Sequence, residues 1–232
     1  MNLNENFDID NIINKTSNNE NNEYSENSED SDDSDDEDNT ENTLKVILLG
    51  DTNTGKTSFV NKLIGQESEL TTTIGIDFIK YSVKYKQNII KSILWDTAGM
   101  ERFGSIVSSY YRMIDGAIIF IDLNNIDSYQ SFEYWLNDVI YYVKIGIIYI
   151  IGNKNDLERK ISKDDIINYI NINYKNYEIY YKEISIKNNV PNVKDIYSEY
   201  IINLHRKINN KKTIINNTTI KMTKNKNKKC CF

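Results

Sequence analysis

The stretch GDTNTGKT, Gly50 to Thr57, fits the pattern G-x-x-x-x-G-K-[ST]. That spacing suits phosphate chemistry. Gly55 permits a tight turn, so N–H groups around Asn53, Thr54, Gly55, Lys56, Thr57 and Ser58 can point inward at phosphate oxygens. The positive end of a following helix would assist them. Lys56 adds a point charge near the outer phosphates, and Thr57 offers a hydroxyl to Mg²⁺. A Gly-rich turn with an ordinary surface lysine would match the same letters. The flanks favour the phosphate reading: apolar LKVILL precedes the loop and an amphipathic segment, Lys56 to Ile64, follows it.

Three further motifs point the same way. WDTAG, Trp95 to Gly99, puts Asp96 at a strand end as a carboxylate near Mg²⁺, and the Gly99 N–H can reach a terminal phosphate. Gly152-Asn153-Lys154-Asn155-Asp156 ends another strand. An Asp there can accept hydrogen bonds from N1 and N2 of guanine, a donor pair adenine lacks, so an adenine nucleotide would leave the carboxylate unsatisfied. EISIK, Glu183 to Lys187, follows the last strand.

The elements that must hold these motifs alternate. LKVILL, Ile76–Tyr85, Lys91–Trp95, Gly116–Leu123, Ile147–Gly152 and Tyr177–Ser185 read as strands. Lys56–Ile64, the run from Tyr129 to Val143 and a segment opened by Ser162 and Asp165 read as helices. Asn192–Asp195, just after the single proline, opens a last helix through Leu204. The alternation predicts an α/β fold with a mostly parallel sheet covered on both faces. All four motifs then lie at C-terminal strand ends, where such sheets bind ligands.

With these motifs in order, residues 44–207 resemble the Ras superfamily of small GTPases, and within it the Rab family. TIGIDF (Thr73 to Phe78), LWDTAGMERF (Leu94 to Phe103) and SSYYR (Ser108 to Arg112) are similar to Rab switch sequences. The resemblance implies a P-loop G domain with a six-stranded sheet, one strand antiparallel, and five helices. It implies a GDP/GTP cycle with Mg²⁺, in which Thr73 ligates the metal beside Thr57 and Asp96 and contacts the terminal phosphate. It assigns Asn153 and Lys154 to the base pocket, with Ser185, Ile186 and Lys187 beside it and the Ile186 N–H meeting guanine O6. Phe78, Trp95 and Tyr110 fall where Rab proteins carry effector-surface aromatics. Implied partners are effectors, an exchange factor, a GTPase-activating protein and an escort or GDI-type protein.

Several positions depart from the pattern. Met100 stands where relatives place a Gln that orients the attacking water, and a thioether has no N–H with which to do so. Slow intrinsic GTP hydrolysis is the expectation, though activating proteins of the dual-finger type supply their own Arg and Gln. The second reading is a GTP-binding membrane scaffold with negligible hydrolysis. Asn53 replaces a small residue, so its side chain must point away from the phosphates, and Ile186 replaces Ala. Gly104 stands for a larger residue, and the stretch from Gly65 to Thr72 lacks the aromatic that commonly braces guanine.

The ends differ from the middle. Residues 1–43 carry fifteen Asp and Glu against Lys15 and read as a disordered acidic tail. Residues 208–232 read as a basic tail ending in Cys230-Cys231-Phe232. The net charge is −6, which leaves the intervening chain close to neutral. The ending does not fit C-a-a-X but looks like a Rab ending, which implies geranylgeranyl groups on both cysteines. Two chains anchor stably where one binds marginally, and the lysines from Lys221 to Lys229 would meet anionic headgroups. The expected location is the cytoplasmic face of an intracellular membrane, cycling with cytosol. No signal-length apolar run opens the chain and no segment approaches the roughly 20 apolar residues of a spanning helix. The basic tail lacks interleaved aromatics, so nucleic acid is not an expected partner.

Overall fold

Alternate residues of the first strand face opposite ways, and both sets are apolar. In β1 (Leu44–Leu49), Val46 and Leu48 join one core cluster while Ile47 and Leu49 join the other, all fully buried. A strand buried on both faces belongs in the middle of a covered sheet. The computed structural model describes the backbone of residues 43–65, 76–97, 114–143 and 146–226, and their side chains except at 76–77 and 212–226. The acidic tail, Thr73, Gly99, Met100, Gly104, Tyr110, Cys230 and Cys231 lie outside the described residues.

The chain continues as α1 (Lys56–Ile64), β2 (Ile76–Tyr85), β3 (Asn88–Thr97), β4 (Gly116–Asp122), α2 (Ile126–Ile140), β5 (Ile148–Asn153), α3 (Lys163–Asn173), β6 (Ile179–Glu183) and α4 (Val193–Lys226). The six strands form one sheet in the order β2-β3-β1-β4-β5-β6. Only β2 runs antiparallel, against β3; β1, β3, β4, β5 and β6 are mutually parallel. This is the mostly parallel α/β sheet expected from the alternation. Four of the five implied helices are found among the described residues.

Each helix buries the stripe its spacing provides. On one face of the sheet α1 places Phe59, Val60 and Leu63, and α4 places Val193, Ile196, Tyr197, Tyr200, Ile201 and Leu204. On the other face α2 places Phe132, Trp135, Leu136 and Val139, and α3 places Ile166 and Ile170. Caps fix the helix starts. Asn125 accepts from Asp127 N at 3.1 Å and Asn192 from Lys194 N at 2.9 Å. Ser162 caps α3 by accepting from Asp164 N at 3.2 Å, one position before the Asp165 that the sequence pattern suggests. The last helix outruns its expected length because no Gly or Pro follows Pro191 to stop it. Its described packing against the core ends near Ile208.

Tyrosines carry much of the α4 seam. The Tyr200 hydroxyl donates to Ile147 O at 3.0 Å, and the Tyr197 hydroxyl shares a 2.9 Å bond with Ser92. Burial raises both phenols above their ordinary value of 10.0. In the unfolded chain they ionise near that value, whereas in the folded chain they stay protonated to higher pH. Their contribution is therefore intact below pH 10 and is lost as pH rises beyond it. Each should remove about 1.4 kcal/mol per pH unit across its window. Melting temperature followed from pH 8 to 12 should fall steeply above about 10, and tyrosinate absorbance should rise as the chain unfolds. Ionisation of all the tyrosines before any loss of helical signal would contradict this.

Candidate nucleotide-binding site

Strands β1, β3, β5 and β6 end at one edge of the sheet, and each releases one motif there. Beyond β1 the chain turns on two glycines. Gly50 has φ 127, and a Cβ on it would stand 2.5 Å from Phe120 O. Gly55 has φ 105, and its Cβ would stand 2.3 Å from Asn153 Nδ2. Neither position admits a side chain, on conformation or on space. Asn53 between them has φ 65, which Asn tolerates, and is exposed.

Lys56 opens α1 and is 5% exposed. Its Nζ donates to Gly50 O at 2.5 Å and to Asp51 O at 2.8 Å. These carbonyls orient the ammonium over the loop, where a cation can meet an anion. Thr54 is buried and donates its hydroxyl to Asp51 O at 2.8 Å.

Asn153 joins the motifs. Its Nδ2 donates to Thr54 O at 2.8 Å, and its Oδ1 accepts from Ile186 N at 3.2 Å. One buried side chain at the end of β5 thus connects the phosphate loop with the segment after β6. Lys154 follows with φ 64 and donates its Nζ to Asp122 Oδ2 at 2.6 Å. Asp156 is exposed on the turn closed by Leu157 N to Lys154 O at 3.0 Å. Ser185 is buried, exchanges main-chain hydrogen bonds with Val190, and accepts from Asn188 N at 3.1 Å. That closes 185–190 into a compact loop, with Ile186 turned inward and Lys187 exposed. The Ile186 side chain fills the space beside Gly55, 3.2 Å from where a Cβ would lie.

At the end of β3, the Thr57 hydroxyl donates to Asp96 Oδ2 at 2.7 Å, with Asp96 2% exposed. A hydroxyl and a carboxylate side by side are hard oxygen donors, a set that fits Mg²⁺ together with phosphate oxygens. Nearby, Phe78 and Trp95 face each other across β2 and β3; Phe78 is 66% exposed, and Trp95 is half-buried. Thr73, Gly99, Met100 and Tyr110 cannot be placed among the described residues.

Two supporting residues escaped the sequence reading. Asp122 holds Lys154 and also accepts from Asn124 N at 3.0 Å. Its signal is a lone acid at the end of the otherwise apolar run GAIIFID. Thr97 donates to Leu48 O at 2.6 Å and ties the end of β3 to that of β1; it stands inside WDTAG, but that motif gives it no role of its own.

The Ras family model matches residues 45–210. The chain belongs to the Ras family. Its relatives in that family include Rab proteins. It is 41% identical over 120 residues to the Ras-related protein Rab-19 of Mus musculus, covering 50% of this chain and 55% of that protein. It is 36% identical over 124 residues to the Ras-related protein Rab-1C of Dictyostelium discoideum, covering 52% and 62%. With the Ras-related protein rab-11.1 of Caenorhabditis elegans the match is 30% over 172 residues, covering 72% and 79%. The first two alignments span little more than half the length of those relatives. As a Rab-like member of the Ras family, the chain carries its four nucleotide motifs in the expected order, and three described links, Asn153 to Thr54, Asn153 to Ile186 and Thr57 to Asp96, join them in space.

Proposed function

We propose that this chain is a GDP/GTP switch of the Rab type in intracellular vesicle transport, and that it hydrolyses GTP slowly on its own. The observation that carries the reading is the pair of hydrogen bonds made by Asn153, which draws the phosphate loop and the 185–187 loop around one space. In that space the N–H groups from Asn53 to Ser58 and the ammonium of Lys56 grip the phosphates. Asp156 accepts from guanine N1 and N2, Lys154 lies along the base held by Asp122, and the Ile186 N–H meets O6. Thr57, Thr73 and Asp96 would hold Mg²⁺, which when bound neutralises charge on the outer phosphates. Gly99 offers its N–H to the terminal phosphate, so loss of that phosphate releases the segment that follows it. Effectors read the GTP state through Phe78, Trp95 and Tyr110. An exchange factor, an activating protein and an escort or GDI-type protein complete the cycle. Prenyl groups on Cys230 and Cys231 hold the chain on the cytoplasmic face of a membrane between passages through cytosol.

Mass spectrometry of the purified native protein tests the reading. Bound guanine nucleotide and prenylated Cys230 and Cys231 are the expected results. A chain that binds adenine nucleotides as tightly as guanine ones in the presence of Mg²⁺ would overturn it.

Hydrolysis has its own test. Met100→Gln supplies a donor and acceptor for the attacking water and should raise the single-turnover rate at least about 10-fold, the worth of one well-placed hydrogen bond. Equal rates would remove Met100 as the cause of slow turnover. A matching activating protein should convert bound GTP in the wild type; failure to do so would favour the scaffold reading.

A further inference from the structure

Asp51 gathers the phosphate loop from both of its ends. Its main-chain carbonyl accepts from Lys56 Nζ at 2.8 Å, from Thr54 Oγ1 at 2.8 Å and from Thr54 N at 3.3 Å. Its carboxylate, meanwhile, accepts from the Trp135 indole Nε1 at 2.9 Å. Trp135 lies in the middle of α2 and is 4% exposed, packed in the same cluster as Phe132, Leu136 and Val139. The indole therefore does not move independently of the helix, while the loop residue it holds is only half-buried. An indole has one donor and no acceptor, and a carboxylate offers a charged acceptor, so the pair is directional and stronger than a neutral contact. Shifting Asp51 would shift the carbonyl that aims Lys56.

We propose that Trp135 is a positioning residue for nucleotide binding, acting through Asp51 to hold the Lys56 ammonium where the outer phosphate arrives. The proposal rests on the nucleotide-binding reading above and adds a residue of α2 that carries none of the four motifs. Lys56 serves the outer phosphate, so the effect falls on nucleotides that have one. Loss of the strut weakens GDP more than GMP, whereas general damage to the site weakens both.

The test uses the full chain loaded with a fluorescent GDP in Mg²⁺, with release followed by excess unlabelled GDP and affinities for GDP and GMP measured by competition. Trp135→Phe keeps the ring and removes the donor, Asp51→Ala removes the acceptor, and Asp51→Asn keeps a carbonyl oxygen to accept. Trp135→Phe and Asp51→Ala should each speed GDP release about 10-fold and shrink the GDP-to-GMP affinity ratio by a similar factor, as loss of one charge-assisted bond implies. The double variant should be no faster than either single one, and Asp51→Asn, which keeps a neutral acceptor, should fall between the wild type and Asp51→Ala. Unchanged release in Trp135→Phe, additive effects in the double variant, or equal losses for GDP and GMP would overturn the proposal. If Trp135→Phe does not fold, Asp51→Ala against Asp51→Asn still decides, since Asp51 lies in a half-buried loop. A wild type that takes up no guanine nucleotide would instead sink the nucleotide-binding reading itself.

Discussion

Asp156→Asn is expected to lower GDP affinity by about 10²–10⁴-fold, because two hydrogen bonds to a charged acceptor are worth about 1.5–3 kcal/mol each. The amide cannot accept from both guanine N1 and N2. Its oxygen can still accept from N1, but its NH₂ group now faces the guanine amino group, donor against donor. Xanthine carries a carbonyl in place of that amino group, so the same variant should gain affinity for xanthosine diphosphate. The fold should not suffer: Asp156 is exposed, and its turn is set by main-chain bonds from Leu157 N to Lys154 O at 3.0 Å and from Asn155 N to Ile184 O at 3.3 Å. Competition binding with guanine and xanthine nucleotides measures the exchange. Retained preference for guanine would show that Asp156 does not read the base.

Asn153→Ala should be the most damaging single change for both stability and binding. It deletes the bonds to Thr54 O and Ile186 N and leaves these main-chain groups to find other partners. Asn153 is 4% exposed, so water does not easily replace what is lost. A loss of about 2–4 kcal/mol in unfolding free energy follows, even without nucleotide. GDP release should accelerate by at least about 100-fold, since phosphate and base contacts loosen together. Denaturant unfolding of the nucleotide-free chain separates the two effects. Unchanged stability there, with unchanged release, would deny Asn153 its joining role. Asn153→Asp is a useful companion: it can still accept from Ile186 N, but its second oxygen confronts the Thr54 carbonyl.

Much of this arrangement is legible in the residues because its cause is local. β4 and β5 are continuous apolar runs, GAIIFID and IYIIGN, and are buried throughout. The glycines of the phosphate loop declare the turn they make. Other features have non-local causes. The β2–β3 hairpin turns on Lys86 at φ 55, without the Asn-Gly or Gly pair that usually announces such a turn. Its strands extend on either side because they pair in register from Ile76–Thr97 to Tyr85–Asn88, so β3 is longer than its apolar stretch suggests. β6 stops at Glu183 rather than Ser185, since Ser185 turns aside to pair with Val190. The links from Asn153 to Thr54 and from Trp135 to Asp51 join positions far apart in the chain, and nothing near any of these residues foretells its partner.

The length of α4 bears on how the domain meets a surface. Beyond Ile208 the helix continues to Lys226, 18 residues that rise roughly 27 Å at 1.5 Å each. A coil of that many residues would let the domain wander and tilt; a helix is a strut that sets its stand-off. Should lipids be attached beyond that end, the rod would stand between them and the face carrying Phe78 and Trp95. Shortening the strut by half a turn would then swing that face around the axis as well as lowering it.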